Sequence, residues 1–169
     1  MKRIVLILIS SVYALTLHAQ SYTVQEPGKL PTYVRSTSSG VTIDKSGQLP
    51  ITVRSTYGGG STINSPGQLP TYVRPSSGGG LTIDSPGQLP VNVRPTSNGG
   101  AIINTPGQLP TYIRLGSGGS YTVDRPGQLP LTIRPSGGTT STAAQVATYL
   151  YPITKTAPVD KKITGKSKR

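Results

Sequence analysis

The sequence predicts a largely disordered, low-complexity repeat chain, built from six Pro/Gly-rich units with transient β-hairpin and polyproline II character. Three observations lead to this class. First, the dipeptide Leu-Pro recurs at Leu30, Leu49, Leu69, Leu89, Leu109 and Leu129, spaced by 19 residues once and then by 20. A fixed period of this length marks an array of equivalent units. Second, all 21 Gly and 16 Pro lie beyond residue 20, and Phe, Trp and Cys are absent. About a quarter of the remaining chain is then Gly or Pro, the range of low-complexity sequence. Third, one copy holds few apolar side chains: Ile63, Leu69, Val73 and partly Tyr72 in the third. Burying each gains roughly 1.5–3 kcal/mol, against about 1–2 kcal/mol to order each of some twenty residues. Stacked hairpins or a small β-solenoid sharing one face are the alternative.

Residues 1–19 read as an export signal. Lys2 and Arg3 form a basic start, Ile4 to Ile9 open an apolar stretch, and Ala19 supplies the small residue before cleavage at Gln20. The stretch is too short and too interrupted for a good spanning helix. Localisation is accordingly expected to be secreted and extracellular.

Residues 20–138 form the six tandem repeats. In Ser65-Pro66-Gly67-Gln68, Pro presets φ near −65° and Gly takes a positive φ, the requirement of a type II turn. Short β-favouring pieces flank it, such as Leu81-Thr82-Ile83 before the next turn and Val91-Asn92-Val93 after. Leu89, Val91 and Val93 alternate with Pro90, Asn92 and Arg94, giving one apolar and one polar face. A proline lacks the ladder donor, so each Leu-Pro must lie at a strand's start or at an edge. The connectors Gly58-Gly59-Gly60, Gly78-Gly79-Gly80, Gly99-Gly100 and Gly118-Gly119 read as flexible joints.

Residues 139–169 break the period. A Ser/Thr-rich linker leads into Ala143 to Tyr151, which suits two helical turns stopped at Pro152, and a basic tail follows.

Charge narrows the function. The net charge is +12. Without Lys2 and Arg3, the repeats carry +5 (nine Lys/Arg, four Asp/Glu) and the tail another +5 (six Lys/Arg, one Asp) in far fewer residues. A cationic exported chain associates with anionic surfaces: bacterial envelopes, nucleic acid or ribosomes, acidic glycans. The expected contact residues are Arg35, Arg54, Arg74, Arg94, Arg114 and Arg134, at one fixed offset in each repeat, with Lys161, Lys162, Lys166, Lys168 and Arg169 in the tail. The chain is expected to be monomeric, or self-associating through its repeats.

Catalytic chemistry is not expected. The only histidine, His18, lies in the signal. Asp44, Asp84 and Asp124 alternate with Asn64 and Asn104 at one repeat position, which suits turn hydrogen bonding better than acid–base pairing. No thiolate site exists, and no cofactor, metal or small-molecule substrate is expected.

The segment Leu69-Pro70-Thr71-Tyr72-Val73-Arg74-Pro75 and its copies Leu89 to Pro95 and Leu129 to Pro135 carry a resemblance. In plan, a signal followed by tandem cationic Pro/Arg segments resembles the precursors of insect proline-rich antimicrobial peptides, of the apidaecin, lebocin and drosocin types. The resemblance implies secretion on infection, entry into bacteria and inhibition of the ribosome. The expected function is therefore host defence by an antimicrobial protein or peptide precursor. The alternative is a structural extracellular protein, such as a matrix, glue, silk or surface adhesin.

Overall fold

The structure is a computed structural model that describes residues 21–136 and 141–154. Twelve strands occupy the repeats: β1 Tyr22–Gln25, β2 Thr32–Thr37, β3 Gly40–Asp44, β4 Ile51–Ser55, β5 Ser61–Asn64 and β6 Thr71–Pro75. They continue as β7 Leu81–Asp84, β8 Val91–Pro95, β9 Ala101–Asn104, β10 Thr111–Leu115, β11 Tyr121–Asp124 and β12 Leu131–Pro135. One helix follows, α1 Ala143–Thr154. Every strand pairs antiparallel with its sequence neighbours, and β1 pairs with β12, so the sheet closes into a barrel.

The expectation of a disordered chain is therefore wrong, and so are the stacked-hairpin and solenoid alternatives. One copy alone buries too little apolar surface to offset the cost of ordering its chain. In a closed ring all six copies face one lumen, and no edge is left unpaired. Inward positions form two apolar layers: Val24, Ile43, Ile63, Ile83 and Val123 on one set of strands, and Val34, Val53, Val73, Val93, Ile113 and Ile133 on the other, all buried.

The period itself closes the barrel. Val53 pairs with Ile63, and Ile63 pairs with Thr71, two residues short of Val73, the copy of Val53. The same slip recurs at the seam, where Ile133 pairs with Val24 and Val24 with Thr32, two short of Val34. Six slips of two residues displace the register by 12 on one circuit of 12 strands. A one-to-one ratio of shear to strand number sets a tilt of about 36°. With strands about 4.8 Å apart, the wall then lies about 11 Å from the axis.

That radius leaves room for one wall layer of side chains around a helix, and α1 fills it. Ala143, Ala144, Val146, Ala147, Leu150 and Ile153 are buried in the same core as the wall residues. Thr142 and Gln145 start the helix with a capping box: the Gln145 N–H donates to Thr142 Oγ1 (3.3 Å), and the Thr142 N–H to Gln145 Oε1 (2.9 Å). The helix does not stop at Pro152. It runs on to Thr154, with Pro152 inside its last turn, where only one backbone bond is forfeited.

Each Pro-Gly turn forms as its sequence requires. The Gln68 N–H donates to the Ser65 carbonyl (3.1 Å), and Gly67 has φ +71°. The Leu-Pro pairs lie just after these turns and before the next strand, so Leu69 and Leu89 are exposed, contrary to their expected place on the apolar face. The glycine connectors are tight turns at the opposite end and not flexible joints. Gly80 sits so close to β8 that a Cβ there would lie 2.6 Å from the Val93 carbonyl oxygen.

Candidate binding rim and lumen cup

The six arginines expected to meet an anionic target all lie on the outer wall, among threonine, asparagine and tyrosine. The copies alternate in kind. Tyr33, Tyr72 and Tyr112 pair in register with Asp44, Asp84 and Asp124. Arg35, Arg74 and Arg114 reach those carboxylates, Nε to Oδ2, at 3.6, 3.4 and 3.2 Å. The aspartates thus serve outward ion pairs on the strands and not turns. Such exposed pairs contribute about 0.2–1 kcal/mol each. In the intervening hairpins the matching positions hold Asn64, Asn104 and, across the seam, Gln25, so Arg54, Arg94 and Arg134 face amides instead of carboxylates. Lys161, Lys162, Lys166, Lys168, Arg169, Ala19 and Gln20 lie outside the described residues.

The barrel's two ends differ. At the Pro-Gly end stand Leu30, Leu49, Leu69, Leu89, Leu109 and Leu129, each 69–71% exposed. Six large apolar side chains held at one level of one rim are not what solvation favours. Each is fixed between the turn and the proline that opens the next strand. The repeat was visible in the sequence; that its leucine points outward was not, because apolar residues beside a strand ordinarily read as core.

Inside this rim lies a ring of six residues, the first of each turn: Glu26, Lys45, Ser65, Ser85, Thr105 and Arg125. They share the inward parity of the apolar layer below. Here the copies diverge most in chemistry, and the divergence seats the helix. Lys45 Nζ donates to the Ile153 carbonyl (3.3 Å), a cation placed on the negative end of α1. Ser85 Oγ lies 2.9 Å from the Tyr151 hydroxyl and 3.0 Å from Thr71 Oγ1, and Tyr151 donates to Gln88 Oε1 (3.3 Å). Arg125 Nη2 lies 3.7 Å from Glu26 Oε1, and Lys29 also pairs with Glu26.

At the other end two copies carry tyrosine where Val41, Ser61, Leu81 and Ala101 stand elsewhere. Tyr121 donates to the Ser141 carbonyl (2.6 Å), and the Ser141 N–H donates to Tyr22 (2.9 Å). The pair holds Ser141 by both its backbone groups, just ahead of α1. Burial raises the Tyr121 hydroxyl pKa, with a smaller contribution from Tyr22, and Tyr149 on the helix is raised for the same two reasons.

Beside the lower half of α1, a cup of about 640 Å³ opens at the rim, floored by Leu150 and Tyr151 and walled by β8 to β11 and their turns. No cluster of metal-ligating side chains occurs among the described residues. No family model, curated protein or solved structure matches the chain.

Proposed function

We propose that the protein is an exported, non-enzymatic surface-binding barrel that docks end-on onto anionic lipid or envelope surfaces. One observation carries this reading: six leucines, equally exposed, crown one rim. Charge supports it. Lys29 stands on that rim, and α1 ends there, so the segment beyond Thr154, with its excess of five positive charges, departs from the same end. Apolar side chains at one level with adjoining cations suit a negatively charged bilayer surface. The outer wall is polar and the lumen apolar, the inverse of a barrel that spans lipid, so docking rather than spanning fits the pattern.

A second reading, host defence, keeps the cationic charge and acts through the whole barrel. Release of peptides from between the copies fits less well, because each cut would sever the wall. Sedimentation with vesicles of phosphatidylglycerol and phosphatidylcholine tests the first reading. Changing Leu69, Leu89 and Leu109 to Ser removes about 1 kcal/mol of apolar burial each, so partitioning should fall on the order of a hundredfold. Unchanged partitioning of that variant would refute end-on docking. Growth inhibition by the intact protein separates killing from attachment.

A further inference from the structure

We propose that the cup in the lumen mouth binds one medium-chain carboxylate, acid group at Arg125 and hydrocarbon directed down the helix. The site borders the leucine rim and shares Leu89 and Leu109 with it, while Leu30, Leu49 and Leu69 lie outside the cup. Its depth is apolar, lined by Val91, Ile103, Val123 and Leu150, and its mouth is polar, with Thr105 and Arg125. The volume of about 640 Å³ lies within the range of small-molecule sites.

Arg125 supplies the reason for an anion. Its side chain is only 14% exposed, and its Nε is buried without a hydrogen-bond partner. A buried guanidinium donor left unpaired is costly, and native structures ordinarily supply an acceptor. Its one ionic neighbour does not fill that need. Glu26 meets Nη2 at 3.7 Å and is shared with Lys29. Arg125 is the one charged side chain that lines the cup, and no carboxylate stands among the lining residues. The cup therefore keeps a positive excess at its opening. A carboxylate on Nε satisfies the donor through a charge-assisted bond, and an aliphatic chain takes the place of water against the apolar floor. Only this copy of the repeat carries arginine at the turn's first position, so one barrel holds one such site.

The test is calorimetric titration with decanoate below its micellar concentration, with decanol as the neutral control. Thermal melts confirm that each variant is folded. The expected result is one site per chain, with decanoate held at least tenfold tighter than decanol. Arg125→Gln should bring decanoate down to the level of decanol while leaving decanol unchanged. Val91→Phe, which fills the cup, should abolish both. A rim variant on the far side of the mouth, Leu30, Leu49 and Leu69→Ser, none of which lines the cup, should bind decanoate as the native chain does. Equal affinity of the native protein for acid and alcohol would overturn the site, as would several ligands per chain. Loss of binding in the rim variant alone would place the ligand on the leucines, and absence of saturable binding would leave the Nε to an ordered water; either result overturns the proposal.

Discussion

Ending the chain at Gly138 removes the lumen helix while leaving all twelve strands. Twelve residues at 1.5 Å rise make α1 about 18 Å long, and at about 10 Å width its side surface is roughly 570 Å². The wall facing it loses comparable cover. At about 25 cal/mol per Å², exposing that wall costs on the order of 14 kcal/mol, an upper bound because the walls can collapse inward. Whole domains are stable by only about 5–15 kcal/mol. The truncated chain should therefore lose its native packing, with uptake of a hydrophobic dye, loss of near-UV tyrosine dichroism and a broadened melt. A synthetic peptide of residues 139–154, which carries the Thr142–Gln145 cap, should restore the native spectrum when added in excess. A truncated chain that melted at the native temperature without taking up dye would refute the helix's role as core.

Tyr121→Phe should cost about 1–2 kcal/mol by removing its bond to the Ser141 carbonyl, read from denaturant midpoints. Because burial raises the pKa of Tyr121 and Tyr149 in the fold, the unfolded chain loses these protons first as pH rises. Their contribution is complete below about pH 10 and declines above it, so the native protein should destabilise there and Tyr121→Phe less steeply. Gly100→Ala should be far more damaging than Gly67→Ala. A Cβ at Gly100 meets the Ile113 carbonyl oxygen at 2.4 Å, whereas Gly67 has φ +71° and open space, so its alanine pays only about 1–2 kcal/mol of left-handed strain. Arg54, Arg94 and Arg134→Gln should leave the melting temperature within about a degree of native, since these arginines face amides, while weakening salt-sensitive adsorption to anionic vesicles.

Local structure was legible in the sequence, and closure was not. The Pro66-Gly67 turn and the alternation of Val91 and Val93 follow from φ preferences and period two, and both stand in the barrel. What misled was treating each copy as a separate energetic unit. Closure depends on the two-residue slip between Val53 and Thr71, a register relation that no single copy displays. Leu69 read as core because it is apolar, yet the turn and Pro70 hold it at the rim. The helix was half visible: Thr142 and Gln145 have capping-box spacing, but a helix of 12 residues is too short to stand alone in water, and only a lumen makes sense of its nearly all-round burial. Arg125 was hidden for a different reason. It breaks the repeat at a position that otherwise holds small or unrelated residues, and only the ring of turns brings it against Glu26, nearly a hundred residues earlier in the chain.

Closure of the twelve-stranded barrel is tested most directly at its seam. Nuclear Overhauser contacts between Tyr22–Gln25 and Thr132–Pro135 join segments that share no local connection. The barrel requires widely dispersed amide signals and cross-strand contacts in the register Thr23 to Arg134 and Val24 to Ile133. Narrow amide dispersion with no contact between these two segments would contradict it.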